Sequence, residues 1–393
     1  MKKLALALAL VLALTSCFCF AEETAPEERT VLMTVGGVPV YLDEAEQISY
    51  LLYYYGYMED YAMVNGVNYI LMYDIAPTLL TEGKVEEILG NDLVEAFTEQ
   101  HKADYKQQIA DYSANFITDS ATEEEKAAAL ADAEKAYLEQ DITEESYVND
   151  QLTLDAFEVI LASLDTAVTD EEVQAYYDSI VAQDEAYLGN NIEMFEMYSY
   201  MYGYDIFYQP EGYRGVLHIL LGADQELLDA YTNAEDDEAK NEAAVAIIAF
   251  NQETIDTIYA ELDAGATFEE EIAKYNTDPG MTDPATLKEG YAVHAQSIYM
   301  VPEFTAGAFA EELQKPGDVG QPVVSQYGVH ILYYLRDIPG GAVPMSAETA
   351  ESIRGLLAGT KEQKAIADAI NAYEVVYYDA YETEVGEDNF LNY

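Results

Sequence analysis

Along most of this chain apolar residues recur at helical spacing, and alternation with a period of two is confined to a few short runs. Val31-Leu32-Met33-Thr34-Val35 reads as a strand, Gly36-Gly37 as a turn, and Val38-Pro39-Val40-Tyr41 as a second strand. Asp43 fits an N-cap for a helix beginning near Glu44. From there to about Asp184 the pattern is helical, with breaks near Pro77, Gly83 and Gly90. Thr122-Glu123-Glu124-Glu125 and Thr169-Asp170-Glu171-Glu172 fit capping boxes. After the second box, Val173, Tyr176, Tyr177 and Ile180 share one helical face. Leu188 to Gln209 is rich in Tyr, Met, Gly and Asn and has no period. A linker, a flap with an adaptable surface and a loop packed on a neighbouring domain all fit that stretch.

A second compact unit is expected from about Pro210, with Pro339-Gly340-Gly341 at its exit. Its first apolar run, Gly215 to Leu221, is followed by an acidic helical stretch from Asp224 to Asn241. The next helix carries Ile255, Ile258, Tyr259 and Leu262 on one face, and Gly265 ends it. Phe268, Ile272 and Tyr275 form the face of another. The loop Asn276-Thr277-Asp278-Pro279-Gly280 and a short helix near Phe304 to Glu312 come next. Two strands, Gln321 to Ser325 and Val329 to Arg336, are then joined by a tight turn, and from Ser346 the pattern is helical again.

Two of the four histidines stand inside the apolar runs, at His218 and His330. A buried imidazole without a partner costs on the order of 1–3 kcal/mol. The two-residue period puts His330, Leu332 and Tyr334 on one face and Val329, Ile331 and Tyr333 on the other. If the two strands are neighbours, His218 can face His330 across the ladder, each ring offering one donor and one acceptor. The remaining histidines read as ordinary. His101, among Glu99, Gln100 and Lys102, fits a solvated helix position, and His294 falls in a loop.

Composition narrows the function classes. With 17 basic against 75 acidic residues the net charge is -58, which excludes nucleic acid as a partner. No Asp-x-Asp-x-Asp-Gly loop is present, so solubility explains the charge better than calcium does. There are 35 tyrosines and no tryptophan, with the densest runs at Tyr50 to Tyr61 and Tyr198 to Tyr208. Any single tyrosine is expected to pack, whereas the clusters suit contact with other proteins.

Met1-Lys2-Lys3 and the apolar run Leu4 to Leu14 read as an export signal, too short to span a bilayer, where roughly 20 residues are needed. Leu14-Thr15-Ser16-Cys17 resembles a bacterial lipobox, with Cys17 as the lipid-bearing residue; cleavage after Ala21 is the rival route. Cys17 and Cys19 are the only cysteines, so the body has no disulfide framework, thiol nucleophile or Cys-based metal site. Two histidines without a third ligand in register are a poor metal site.

Five motifs in order carry a family resemblance. They are His218-Ile219-Leu220, Phe268 with Tyr275-Asn276-Thr277-Asp278-Pro279-Gly280, Met300-Val301-Pro302-Glu303-Phe304 with Ala308-Phe309, Lys315-Pro316-Gly317, and Gln326-Tyr327-Gly328-Val329-His330-Ile331. From roughly Tyr213 to Ile338 the chain resembles a parvulin-type peptidyl-prolyl isomerase. Its flanks, Thr34 to Val40 and Ala167 to Tyr177, resemble the helical chaperone region of PrsA/SurA-like foldases. The resemblance implies an α+β chain. A parvulin-like domain, a four-stranded antiparallel sheet with surrounding helices, is inserted into a mainly helical chaperone domain.

The expected divisions are a processing region at 1–21, a helical domain with linker at 22–209, the isomerase domain at 210–340, and a helical segment at 341–393 that packs back on the N-terminal domain. By the same resemblance His218, Asp278 and His330 are the catalytic group. Met300, Phe304, Phe309, Ser325 and Gln326 serve substrate binding, and no cofactor is implied. Leu287 to Val293 stands where parvulins usually carry Gly-Gly-Asp-Leu-Gly and keeps one of those glycines. The additional residues near Glu235-Asp236-Asp237-Glu238 read as an acidic surface insertion that favours basic clients.

The function these features imply is an exported foldase that binds unfolded proteins and isomerises X-Pro bonds, membrane-attached if the lipid anchor is used. A holdase that binds peptides without catalysis is the alternative. A hydrolase using Ser325 with His330 fits poorly, because no Gly-x-Ser-x-Gly elbow is present.

Overall fold

A computed structural model describes residues 29–58, 61–118 and 120–386. The export signal and Cys17 lie outside the described residues. Among those residues nine strands occur in chain order: β1 (Val31–Val35), β2 (Val38–Tyr41), β3 (Tyr208–Gln209), β4 (Arg214–Leu221), β5 (Tyr291–Val293), β6 (Val323–Ser325), β7 (Gly328–Asp337), β8 (Gly341–Ala342) and β9 (Val375–Tyr377). They form three antiparallel sheets, and the rest of the regular structure is helical. The chain divides into two compact units, one running to Val168 and resuming at Arg354, the other spanning Thr169–Ile353.

In the first unit β1 and β2 pair through the Gly36-Gly37 turn, and β9 from the far end of the chain adds to the other edge of β1. Leu32, Met33, Val35 and Val40 are buried against the helices Leu42–Tyr54 and Met63–Ile70, and against Ile366, Ala367 and Ile370 of the late helix Ala347–Ile370. The two expected capping boxes form at Thr122–Glu125 and Thr169–Glu172, and a further one at Thr143–Ser146 starts Glu144–Ser163.

One expectation fails in this unit. His101 is buried rather than solvated, with Nε2 2.7 Å from Asp155 Oδ2. The partner comes from the helix Glu144–Ser163, so the polar neighbours of His101 in sequence give no sign of it.

The second unit is built on the sheet β5-β4-β7-β6. Alternation along β4 and β7 gives it two buried faces. Leu217, Ile219, Leu221, Val329 and Ile331 pack against Ile247, Ile255 and Ile258 of the helix Asp237–Asp263 and against Phe268 and Ile272. Val216, Leu332 and Tyr334 pack against Val293, Phe304, Ala308 and Leu313 on the opposite side. Such double burial accounts for the nearly continuous apolar runs of both central strands.

The acidic stretch near Glu235 is exposed and leads into the helix Asp237–Asp263, whose Ala243 and Ile247 enter the core. Two expectations need correction here. Leu188 to Gln209 is neither linker nor free flap. It contains the helix Ile192–Glu196, a π-helical turn at Met197–Met201 and β3, and Leu188, Ile192 and Phe195 share a core with Tyr213. That packing is why the second unit takes in residues before Pro210. Finally, His218 pairs in register with Leu332, and His330 with Leu220, so the histidines lie diagonally on one face rather than opposite each other.

Candidate active site

The site begins with an incomplete sheet edge. β5 pairs with β4 only at Arg214, Gly215 and Val216, which leaves the outer edge of β4 open beyond them. The loop at 276–278 takes that edge: Asn276 Oδ1 accepts from Leu220 N at 2.9 Å, and Thr277 N donates to Leu220 O at 2.9 Å. Asn276 also accepts from Asp278 N at 3.0 Å and donates to its carbonyl at 2.7 Å. Asp278 is thereby fixed beside His218, although 60 residues separate them.

Five side chains then form one hydrogen-bonded line. Tyr291 Oη donates to Asp278 Oδ2 at 2.8 Å, and His218 Nε2 lies 2.8 Å from the same oxygen. His218 Nδ1 is 3.2 Å from His330 Nδ1, and His330 Nε2 is 2.6 Å from Ser325 Oγ. Gly280 N donates to Asp278 Oδ1 at 3.1 Å, and Tyr327 N donates to Ser325 Oγ at 3.1 Å.

Protonation follows from chemistry. The hydrogen bond from His218 holds the Asp278 carboxyl down at about 2, with Tyr291 and Gly280 N adding to the effect against partial burial. An ionised Asp278 only accepts, so His218 Nε2 donates to it. Burial, with the neighbouring His218, lowers His330 to about 3, so its ring is neutral. One tautomer set uses every group: Ser325 Oγ–H donates to His330 Nε2, and His330 Nδ1–H donates to His218 Nδ1. Burial and the Asp278 carboxylate push the Tyr291 phenol up, which keeps it a donor.

Most of this line is closed to solvent. His218, His330 and Ser325 are buried, whereas the Asp278 side chain is 20% exposed and Tyr291 is half-buried. Phe304, itself buried, sets its ring edge-on to both histidines at 5.0 and 5.5 Å, while the histidine rings stack at 5.3 Å. The line is therefore open at Asp278 and Tyr291, with the histidines and serine behind them. A nucleophilic role for Ser325 is incompatible with its complete burial.

Two glycines make the geometry possible. A Cβ on Gly280 would stand 1.7 Å from Tyr291 Oη, so a side chain there would displace the phenol from Asp278. Gly290 has φ +75° and lies against the backbone of β4, where a Cβ would come 2.6 Å from Val216 N. It is the glycine retained in Leu287 to Val293, and it sets the entry into β5 directly before Tyr291.

The other expected residues are distributed around this line. Met300 is half-buried and joins the cluster of Phe304 and Leu332. Phe309 belongs to the same cluster but packs under the Arg214 guanidinium at 4.0 Å, at the start of β4 and away from His218. Gln326 is exposed and lines a cleft of about 290 Å³ with Tyr231, Lys240, Val301, Pro302 and Glu303. His294 Nδ1 accepts from Gln296 N at 3.0 Å, and its ring lies 5.2 Å from Tyr213.

Tyr291 is the site residue that sequence reasoning missed. Its only sign was its place directly after the retained glycine. Among the described residues no three His, Cys, Asp or Glu side chains gather to hold a metal ion, and no helix is long and apolar enough to cross a membrane.

The four-stranded antiparallel sheet with its buried histidine pair and partly open acid lies in the region that a sequence comparison picks out. Residues 218–336 match the family description of the rotamase, the PPIC-type PPIase domain, so the chain carries a domain of this class. Its solved structural neighbours include the SurA-like chaperones PEB4 and Cj1289 of Campylobacter jejuni (19% identity, 69% of this chain and 95% of that one, TM-score 0.27). PrsA of Bacillus anthracis (16% identity, 77% and 96%, TM-score 0.21) and PrsA of Bacillus subtilis (13% identity, 88% and 92%, TM-score 0.21) are similar as well. No curated protein sequence matches the chain.

Proposed function

We propose that the protein is an exported foldase: it binds unfolded polypeptides and catalyses cis–trans isomerisation of X-Pro bonds at Asp278 and Tyr291. The observation that carries this reading is the saturated line from Tyr291 through Asp278, His218 and His330 to Ser325, open to solvent only at its Asp278–Tyr291 end. Buried rings that only filled a core would need no such one-ended arrangement.

The reaction forms no covalent bond to the protein. Rotation about the amide is opposed by roughly 18–20 kcal/mol of resonance, and each ~1.4 kcal/mol removed is a tenfold gain in rate. The planar amide carries partial charge separation, negative on oxygen, which is lost as the C–N bond twists. An apolar wall at Met300 and Phe304 takes water away from that charge-separated form. The Asp278 carboxylate, held ionised by its three donors, disfavours negative charge on a nearby carbonyl oxygen. His218 and His330 act by positioning Asp278.

Client binding, export and lipid attachment at Cys17 belong to the same proposal, as does the division of labour between a helical client-holding unit and the isomerase unit. Intact mass of the mature protein tests the anchor, which predicts a diacylated N-terminal Cys17. Exchange NMR on a short prolyl peptide tests the activity. Substoichiometric protein is expected to speed an interconversion that otherwise takes tens to hundreds of seconds. Peptide that binds with an unchanged exchange rate would leave the holdase alternative in its place.

A further inference from the structure

From Thr169 to Tyr213 the chain contains no lysine or arginine, and the same stretch carries a group of exposed aromatic rings. Its centre is the π-helical turn Met197–Met201, a geometry often found at functional sites. Tyr198 on this turn meets the rings of Tyr187, Tyr202 and Tyr204 at 6.5, 6.1 and 5.7 Å. Those three partners are 59%, 58% and 61% exposed. Tyr200 of the same turn meets Tyr299 at 5.3 Å, and Tyr299 directly precedes Met300 of the apolar wall. Tyr299 is also close enough to Tyr291 to help push its phenol up.

One buried carboxylate ties the two parts together. Glu196, with no exposed surface, accepts from Ile298 N at 2.7 Å, Tyr299 N at 2.9 Å and Tyr213 Oη at 3.0 Å, and also from Ser297 Oγ. It positions the loop before Met300 against the tyrosine-bearing turn. The rings are thus held in place on a surface that reaches the opening of the site.

We infer that this tyrosine shelf is a client-binding surface continuous with the Asp278–Tyr291 opening. Its occupant is the lysine- or arginine-bearing flank of an extended polypeptide whose proline lies at that opening. The inference rests on the isomerase reading for the placement of the proline. Exposed tyrosine faces attract cations within about 6 Å of the ring, and no basic residue of this stretch competes for them. Carboxylates at Asp184, Glu185, Glu193 and Asp205 in the same stretch favour the same partner.

The test uses the full chain and two fluorescent peptides with one Ala-Pro core, flanked by lysine and arginine in the first and by glutamine at those positions in the second. Anisotropy is expected to show the basic peptide binding about fivefold or more tightly to the unaltered protein. The double variant Tyr202→Ser/Tyr204→Ser is expected to lose most of that preference while keeping its melting temperature, since both rings are exposed. Equal binding of the two peptides by the unaltered protein overturns the shelf. So does a preference that survives undiminished in the variant, which would assign it to the overall charge. Exchange NMR on the short peptide, with the unaltered protein, reads the isomerase proposal separately, so either idea can fail alone.

Discussion

Two histidine–carboxylate pairs of almost equal length occur in this molecule, His101 with Asp155 at 2.7 Å and His218 with Asp278 at 2.8 Å. Both rings are buried, and both acids come from a distant part of the chain. They differ in what lies beyond the pair. His101 has Asp104 3.6 Å from its other nitrogen and a tilted ring contact with Phe97, and it joins the helices Asn91–Ala114 and Glu144–Ser163. His218 passes its second nitrogen to His330 and then to Ser325, while Asp278 takes a phenol and a backbone N–H as well. A single pair braces two helices. The longer line leaves its carboxylate partly open at one end.

The sharpest way to break the contrast is at Gly280. Gly280→Ala puts a methyl group where Tyr291 Oη now sits, so the Tyr291–Asp278 bond is lost. Isomerase kcat/KM is expected to fall about tenfold or more, with a cost of about 1–3 kcal/mol in urea unfolding. Wild-type turnover in this variant would mean that the phenol does nothing for the acid.

A smaller effect is expected at the brace. His101→Leu leaves Asp155 without its imidazole and is expected to cost about 1–3 kcal/mol of stability. Turnover of a short prolyl peptide should stay within about twofold of wild type. A tenfold loss of turnover in the folded variant would erase the distinction between brace and site.

Smaller still is a pH effect that arises at His330. His330 titrates at about 3 in the folded protein against an ordinary value near 6.5, so the unfolded chain binds more protons between those limits. Its contribution to stability is complete above pH 6.5 and is lost as pH falls toward 3. Asp278, lowered to about 2, adds a loss that begins only below about pH 4. Urea unfolding at pH 7 and pH 5 should therefore show a decline that His330→Asn reduces. An unaltered slope in the variant would place the acid sensitivity elsewhere.

Much of the site was legible because its parts are local. Alternation placed His218 and His330 on strands, and the Asn276-Thr277-Asp278-Pro279-Gly280 loop marked itself by its turn residues. The diagonal register was not legible, because it depends on how β4 and β7 pair, with an irregularity between Gly215 and Val216. Tyr291 was hidden for a similar reason: only the pairing of β5 with β4 brings its hydroxyl to Asp278. The helix Asp237–Asp263 was misread at its start because Asp237, Glu238 and Glu242 precede its buried positions Ala243 and Ile247 and make its first turns look like part of the acidic stretch before it. His101 shows the same limit, since the acid that permits its burial lies 54 residues away.

If Asp278 serves a site and Asp155 only a brace, one assay measures the difference. Asp278→Asn and Asp155→Asn each replace one carboxylate by an amide of the same shape, so both can be followed by protease-coupled turnover of one prolyl peptide. Asp278→Asn is predicted to lower kcat/KM about tenfold or more while Asp155→Asn leaves it within about twofold. Equal effects of the two substitutions, or none from Asp278→Asn, would contradict the account.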